Sequence, residues 1–272
     1  MRVAWIQDNS RPHGGAELSN RCVVEVGHRM GFNIVGVTPQ WFPHQVLKEC
    51  DVMIINNFFQ FSYSQRTKVA IAMRDKPYVK YEHDHRELGR PQVSKPLFAN
   101  SRLNVFLSPM HLANHKAKLE IDGVALPLAI REQDFRPVPG MRRVPRSALI
   151  VGGWVRGGKI GRELQRFVAA RTELTFTSVG LRIAGARAVP HIPLARMPEL
   201  YSSHEILVHL PDMLCAGERV IFEAALCGCN IKANHLVGHM SWGYDLDDTE
   251  TLRAILRKAP IRFWELVKEK CQ

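Results

Sequence analysis

The hydrophobic pattern along the first half of the chain alternates between short apolar runs and longer amphipathic stretches. The apolar runs are rich in branched residues and predict strands at Val3–Ile6, Asn33–Val37, Asp51–Asn56, Tyr78–Tyr81 and Asn104–Ser108. The stretches between them predict helices at Ala16–Met30, Gln45–Cys50, Gln65–Arg74 and Met110–Leu119. Strands that alternate with helices through short loops favour a parallel sheet with right-handed crossovers.

Residues 131–147 interrupt this alternation, because they are rich in proline and charge and show no apolar period. That composition is typical of a linker. The alternation then restarts, with strands predicted at Ala148–Val151, Leu174–Val179, Ile206–Leu210 and Asn230–Ala233. Helices are predicted at Gly161–Ala170, Met197–Ser203 and Arg219–Cys227.

The end of the chain predicts two helices, Thr249–Lys258 and Phe263–Lys270, separated at Pro260 because proline lacks the N–H that a helix interior needs. We therefore expect a first domain at 1–135, a linker at 136–147 and a second domain at 148–258. The C-terminal helix at 259–272 is expected to pack back on the first domain.

Bulk composition narrows the class of protein. The chain has 272 residues, of which 46% are hydrophobic, enough for two modest cores. The N-terminal sequence turns polar too early for a signal peptide, and no apolar run is long enough to span a bilayer. The six cysteines lack paired metal spacing, which favours reduced core thiols and a cytoplasmic location.

The net charge of +11 is spread over both halves of the chain. A diffuse positive field attracts phosphate-bearing ligands, which include nucleotide sugars, anionic lipid surfaces and DNA. Solubility alone is an equally simple explanation. The net charge alone therefore does not identify the binding partner.

Residues 211–230, PDMLCAGERVIFEAALCGCN, predict a polar loop that opens into a short helix with one buried acid. The N–H groups of Glu218, Arg219 and Val220 lie in the first turn, where a helix has no internal acceptors and its dipole favours an anion. They can hold a diphosphate, while Glu223, one turn further on, can accept hydrogen bonds from two ribose hydroxyls. The alternatives are an ordinary amphipathic helix with a stray acid and a surface pair between Arg219 and Glu218.

Two glycine-containing loops also follow predicted strands. Gly14 and Gly15 allow the backbone to approach a ligand closely, and Glu17 follows in the first helical turn. The alternatives are a plain tight turn and a surface acid that interacts with the helix dipole. In the second loop, Arg156 and Lys159 flank two glycines and suit a diphosphate leaving group, or else form a basic surface hairpin.

A polar segment also follows the strand at Tyr78–Tyr81 and contains His83, Asp84 and His85. Ligands of parallel α/β sheets bind at this end of the strands. A solvated polar loop is the alternative. Metal binding by the two histidines with Asp84 is a weaker one, and we expect no metal here.

In chain order, four segments carry a resemblance to GT-B glycosyltransferases, in particular the large retaining group labelled family 4. They are the loop GGAE at 14–17, the pair His83-Asp84, the strand end Val151-Gly152-Gly153 with its following cations, and the segment 211–228. A weaker similarity lies at 192–202. Because the segments follow the family's order over nearly the whole chain, they are together more specific than any one of them.

This resemblance implies an α/β fold with two Rossmann-like domains that face each other across a cleft. It also implies transfer of a sugar from a UDP- or GDP-sugar, with retention of configuration, no cofactor and no metal. We expect His83 and Asp84 to be catalytic, and the acceptor to contact Gly14, Gly15, Glu17 and His85. We expect the donor to contact Gly153, Arg156, Lys159, Glu218, Arg219, Val220 and Glu223.

The chain departs from the family pattern at three positions of the fourth segment. Cys215 stands where the family has the first of two glutamates, Gly217 replaces an aromatic residue, and Glu218 replaces a glycine. The first glutamate contacts donor sugar hydroxyls in the family. Sugar recognition is therefore altered here, or Asp212 or Glu218 substitutes, or activity is lost.

The acceptor stays open between a carbohydrate, a lipid-linked molecule and DNA that carries hydroxymethylated pyrimidines. The contrasting class of protein is an inert module that binds a nucleotide or polyanion without turnover. A nicotinamide dehydrogenase is disfavoured, because no G-x-G-x-x-G follows a predicted strand.

Overall fold

The computed structural model of the protein describes residues 1–9, 14–152 and 161–272. The chain divides into two compact units. The first comprises Met1–Ala129 and Lys258–Gln272, and the second comprises Ile130–Arg257. The first unit thus ends before the boundary predicted at 135, and the C-terminal residues belong to it.

The first unit is built on a parallel sheet, which in the described residues has six strands in the order β2-β1-β3-β4-β5-β6. The strands are β1 (Arg2–Ile6), β2 (Asn33–Val37), β3 (Val52–Ile55), β4 (Tyr78–Tyr81), β5 (Leu103–Phe106) and β6 (Val124–Ala125). The helices are α1 (Gly15–Arg29), α2 (His44–Glu49), α3 (Tyr63–Asp75), α4 (Pro91–Ala99) and α5 (Pro109–Leu119). Every residue of β3, β4 and β5 is buried, as expected for a sheet covered on both faces.

The second unit repeats this design with a five-stranded parallel sheet in the order β11-β10-β7-β8-β9, again within the described residues. Its strands are β7 (Val144–Val151), β8 (Thr175–Val179), β9 (Ala186–Val189), β10 (His204–His209) and β11 (Asn230–Ala233). Its helices are α6 (Arg162–Ala170), α7 (Met197–Ser203) and α8 (Arg219–Leu226). Helix α9 (Thr249–Cys271) begins in this unit and ends in the first.

Both sheets contain a point where the strand order reverses. In the first unit it lies between β1 and β3, and in the second between β7 and β10. At such a switch point the crossovers leave in opposite directions and open a crevice at the carboxyl ends of the strands, where ligands of these folds bind. Two parallel sheets flanked by helices confirm the predicted α/β class.

The segment 136–147, predicted as a linker, overlaps the first strand of the second sheet. β7 begins at Val144, so the last residues of 136–147 are strand rather than connection. The start of the proline-rich segment is also anchored, because the guanidinium of Arg253 donates to the carbonyls of Glu132 (2.6 Å) and Phe135 (2.8 Å). Buried contacts from elsewhere in the chain therefore order a segment whose composition favours a loop.

The predicted helix break at Pro260 is wrong, because α9 runs without interruption from Thr249 to Cys271. Proline in a helix interior costs roughly 3 kcal/mol. The second half of α9 offsets this cost by burying Phe263 and Trp264, and the Trp264 indole donates to the Val23 carbonyl at 2.8 Å. Helix α4 and the short edge strands β6 and β9 were not predicted.

No helix in the described part of the chain combines the length and apolar character that a membrane crossing needs.

Candidate functional site

In the first unit, the loop after β4 is built on a buried ion pair. Lys80 Nζ lies 2.6 Å from Glu82 Oε2, and both side chains are 0% exposed. The other oxygen of Glu82 accepts hydrogen bonds from the backbone N–H groups of His83 and Asp84, each at 3.1 Å. The pair therefore fixes the main-chain path of the loop that carries the predicted catalytic residues.

His83 is held by Asn56, which follows β3 in the neighbouring position of the sheet. The Asn56 amide donates to the Ile6 carbonyl at 3.1 Å, so its oxygen faces His83 Nε2 at 3.2 Å. An amide oxygen only accepts, so Nε2 carries the proton and Nδ1 keeps its lone pair. Nδ1 is buried and has no hydrogen-bond partner among the described residues.

The charge state of His83 follows from its surroundings. Burial, assisted by the nearby Lys80 ammonium, lowers its pKa to about 3. The imidazole is therefore neutral at physiological pH. A neutral ring with one satisfied nitrogen and one unpartnered acceptor can receive a hydrogen bond from a ligand hydroxyl.

Asp84 lies beside this histidine but has its own partners. Its carboxylate accepts from Asn57 Nδ2 (3.3 Å), from the Arg86 backbone N–H (2.8 Å) and from Arg86 Nε (3.1 Å). Burial, together with the Glu82 carboxylate, raises the pKa of Asp84 above its usual value. Nearby, the ring of His85 packs 4.7 Å from that of His111, so it contributes to a histidine cluster as well as to the loop.

The glycine loop after β1 is only partly described, since residues 10–13 lie outside the described ranges. Gly14 is the N-cap of α1 and has extended backbone angles. A Cβ placed on Gly14 would lie 2.6 Å from Glu17 Oε2. The Glu17 carboxylate thus packs against Gly14 at the start of α1.

In the second unit, α8 begins at Arg219 as predicted, and the Arg219 side chain is buried rather than at the surface. Its Nε donates to Glu223 Oε1 at 2.8 Å, and both side chains are buried. The hydroxyl of Tyr201 donates to Glu223 Oε2 at 3.1 Å. The Arg219 side chain can be buried because the Glu223 carboxylate, one turn away on α8, supplies its countercharge.

Glu218 and Val220 frame the start of this helix, Glu218 as its N-cap with no side-chain cap bond. His239 lies against the same turn. Its Nδ1 bonds to the Glu218 carbonyl at 3.1 Å, and its ring stacks on Phe222 with centroids 4.1 Å apart. A Cβ on Gly217 would lie 2.5 Å from His239 Nε2, which explains why an aromatic residue is absent at 217.

Asp212 and Cys215 also differ from the roles expected of them. The Asp212 carboxylate accepts from the backbone N–H groups of Arg162 (2.6 Å) and Glu163 (3.4 Å) and so caps α6. Cys215 is buried and bridges to Val237, with its backbone N–H bonded to the Leu236 carbonyl at 2.9 Å. Asp212 is therefore already engaged and is a poor substitute for the missing glutamate.

The structure thus groups His83, Asp84 and Asn56 in the first unit, and Arg219, Glu223 and the helix start in the second. Gly153, Arg156 and Lys159 lie outside the described residues. Asn56, Tyr201 and the Lys80–Glu82 pair were not predicted as part of the site from the sequence. The signal for Asn56 was its position directly after an apolar strand, as for His83.

Comparison with known proteins gives no match to a protein-family model or to a curated protein. Solved structures match over the whole chain. A glycosyltransferase from Rickettsia africae matches with a TM-score of 0.72 at 10% identity, over 100% of this chain and 98% of that one.

Two further matches were solved with ligands. HepE from Anabaena, in complex with UDP and glucose, has a TM-score of 0.65 at 14% identity over 98% of this chain and 96% of that one. An α-glucosyltransferase in complex with UDP and a DNA 13-mer containing an HMU base has a TM-score of 0.63 at 10% identity over 99% and 95%. The protein therefore has the GT-B fold of glycosyltransferases.

Proposed function

We propose that this protein is a glycosyltransferase that moves a sugar from a nucleoside-diphosphate sugar to an acceptor hydroxyl, with retention of configuration. The observation that carries this proposal is His83 Nδ1, a buried acceptor atom without a hydrogen-bond partner in the described residues. A buried polar atom left unsatisfied costs about 1–3 kcal/mol, a cost that a bound hydroxyl removes. His83 is also the residue that the family resemblance places against the donor sugar.

The donor belongs to the second unit in this proposal. The diphosphate binds the N–H groups at the start of α8, with Gly153, Arg156 and Lys159 as additional contacts. Glu223 accepts from the ribose hydroxyls, which take the place of the Tyr201 hydroxyl as donors to its carboxylate. UDP is favoured over GDP, because HepE was solved with UDP and with UDP-glucose.

The acceptor belongs to the first unit. Asp84 and Arg86 define the side of the loop that it approaches, and Gly14, Gly15, Glu17 and His85 remain the proposed contacts. In a retaining transfer the leaving phosphate can deprotonate the acceptor on the same face of the sugar. His83 therefore acts by orienting the sugar hydroxyls through Nδ1 rather than as a base, since its pKa of about 3 leaves it a weak one. Reduced thiols support a cytoplasmic site of action, since all six cysteines are free.

The test of donor binding is thermal stability with UDP, GDP, ADP and their glucose conjugates. At about 100-fold excess over Kd, a ligand that binds only the folded state adds about 2.7 kcal/mol. We expect UDP or UDP-glucose to raise the thermal stability of the protein, and we expect this increase to be lost in Glu223→Ala. Glu199→Ala, an exposed acid that pairs with Arg196 in the same unit, is the matched control. An undiminished response in a folded Glu223→Ala would remove the ribose assignment.

The test of chemistry is release of UDP from UDP-glucose. We expect His83→Ala to lower kcat by up to about 10²–10³-fold, which is the cost of removing one preorganised hydrogen-bonding group from an acyl-transfer site. The exposed His44 supplies the control His44→Ala. Binding of UDP with no turnover of any sugar conjugate would instead identify an inert nucleotide-binding module.

A DNA acceptor is the second candidate, supported by the α-glucosyltransferase solved with DNA and by the net charge of +11. Binding to duplex DNA should then weaken steeply with salt, with a slope that counts the phosphate contacts. Transfer of labelled glucose to duplex DNA with hydroxymethylated pyrimidines, and not to unmodified DNA, would establish it. An affinity for duplex DNA that does not change with salt concentration would exclude DNA as the acceptor.

A further inference from the structure

Three histidines of the first unit meet beside the His83–His85 loop. One ring nitrogen from each of His85, His111 and His115 lies within 4.8 Å of those of the other two. His111 and His115 are one turn apart on the same face of α5, and the ring of His85 stacks on that of His115 with centroids 5.7 Å apart. His85 is also a proposed acceptor contact, but His111 and His115 have no part in the proposed sugar transfer.

The hydrogen bonds of His115 leave one nitrogen without a partner. His115 Nδ1 lies 3.0 Å from the His111 carbonyl, which only accepts, so Nδ1 carries the proton. The lone pair is then on Nε2. That atom is buried, has no hydrogen-bond partner among the described residues, and belongs to a side chain that is 0% exposed.

This arrangement is the one that metal-binding histidines adopt. Such a histidine usually donates its second ring N–H to a carbonyl, which fixes the tautomer and points the other nitrogen at the metal. An unmet acceptor in an apolar interior otherwise costs about 1–3 kcal/mol. His115 therefore has the hydrogen bonds of a metal-binding histidine, while the nitrogen that would bind the metal, Nε2, has no hydrogen-bond partner among the described residues.

His85 supplies a second nitrogen of the same kind. Its Nε2 contacts the Asn114 amide at 3.3 Å, and its Nδ1 is buried with no partner in the described ranges. The His85 side chain is only half-buried, so this side of the histidine group lies nearer to solvent than His115 does. When Nδ1 binds a cation, Nε2–H donates to Asn114, whose amide turns its oxygen toward the ring.

His111 takes a different part. Its Nδ1 accepts from the Leu107 N–H at 3.2 Å, so its Nε2–H donates to the Asp84 carbonyl at 2.9 Å. Both nitrogens are engaged. His111 is therefore a positioning residue that holds the His85 side of the loop against α5.

We propose that His85 Nδ1 and His115 Nε2 bind a divalent transition metal ion such as Zn²⁺, next to the His83–Asp84 loop. Imidazole nitrogens suit Zn²⁺, Ni²⁺ and Cu²⁺, whereas Mg²⁺ and Ca²⁺ prefer oxygen. The site does not depend on the proposed sugar transfer.

The experiment is a calorimetric titration of chelator-treated protein with ZnCl₂, with MgCl₂ as the comparison ion. A second group in the other unit, His209, Cys215 and Glu218, also has ligand atoms within 4.8 Å of one another. The titration is therefore made in a Cys215→Ser background. We expect one Zn²⁺ to bind per chain, no heat from Mg²⁺, and at least about tenfold weaker Zn²⁺ binding in His85→Gln and in His115→Gln.

The matched control is His44→Gln, an exposed histidine of the same unit, which should bind Zn²⁺ as the parent does. Because His115 is fully buried, long-range ¹H–¹⁵N NMR of the parent protein provides a test without its substitution. Zn²⁺ should shift the ring ¹⁵N signals of His85 and His115 and leave that of His44 unchanged. Absence of Zn²⁺ binding in the parent, or equal binding in His85→Gln, would overturn the proposal.

Discussion

Each unit of the protein buries an ion pair beside its candidate site, and the two pairs are used differently. In the first unit, Lys80 and Glu82 are 2.6 Å apart and entirely shielded from solvent. In the second, Arg219 and Glu223 are 2.8 Å apart on one face of α8. Both pairs follow the same electrostatic requirement, since a charge taken out of water needs a partner.

The difference lies in what the carboxylate holds besides its cation. Glu82 accepts two backbone N–H groups and so determines the path of the main chain at His83 and Asp84. Glu223 accepts a side-chain hydroxyl from Tyr201, which a ligand hydroxyl can replace without moving the backbone. The first pair therefore shapes a loop, whereas the second is suited to exchange partners with a ligand.

The largest expected effect tests this contrast directly. Glu82→Gln should lower the free energy of unfolding by about 3–5 kcal/mol, because it leaves the Lys80 ammonium buried without a countercharge. Glu223→Gln should cost roughly half as much, since the amide oxygen can still accept from Arg219 Nε while the amide NH₂ donates to the Tyr201 hydroxyl, which turns to accept. Urea unfolding of both variants measures the difference.

The control for these variants is Asp122→Asn, which removes the partner of Lys116 in a pair whose side chains are 88% and 64% exposed. It should change stability by no more than about 1 kcal/mol. Equal losses for Glu82→Gln and Glu223→Gln would mean that the two pairs serve the same purpose.

The next effect concerns pH. Burial lowers the pKa of His83 to about 3 and of His115 and His239 to about 4, all below the unfolded value near 6.5. Between these limits the unfolded chain binds more protons, so stability rises with pH and falls on acidification. From pH 7 to pH 5 each neutral buried histidine contributes a loss of about 2 kcal/mol.

The first unit should lose more stability than the second on acidification, since it also contains His85 and His111, whose pKa values are likewise lowered by burial. Hydrogen exchange at pH 5 and pH 7 can compare amides of β4 with those of β10. We expect protection to fall further in β4, and His83→Gln to reduce the pH dependence by about one proton. An equal decrease of protection in β4 and β10 would contradict the expectation that the histidines of the first unit cause most of the pH dependence.

Most of the fold followed from the apolar pattern, and the errors have identifiable physical causes. The buried strand β3 was predicted because its short run of branched apolar residues lies in a chain that alternates strands with helices. Helix α9 was predicted as two helices because the local cost of Pro260 was counted without the burial of Trp264, which only tertiary structure supplies.

The location of the candidate residues His83 and Asp84 directly beyond a strand of the sheet was predictable from the sequence. The hydrogen-bond partners of the candidate residues were not predictable, because these partners are distant in sequence. Nothing near Glu223 indicates that Tyr201 donates to it, and nothing near His83 indicates Asn56. Such pairs form because the parallel sheet brings the carboxyl ends of separate strands together.

The smallest expected effect compares two helix caps. Ser62 caps α3 from the residue directly before it, with its hydroxyl accepting from the Gln65 N–H at 3.2 Å. Asp212 caps α6 from the far side of the switch point in the second unit, 2.6 Å from the Arg162 N–H. Ser62→Ala and Asp212→Ala should each cost about 1 kcal/mol in urea unfolding, because each leaves a first-turn N–H without its acceptor.

Their effects on nucleotide binding should differ even though their effects on stability match. Asp212 joins the segment after β10 to the start of α6, on the side where the diphosphate is proposed to bind. The thermal response to UDP should therefore weaken in Asp212→Ala and stay unchanged in Ser62→Ala. An unchanged response in both variants would show that the contact between Asp212 and α6 contributes to stability alone, and that the donor does not depend on the order of that switch point.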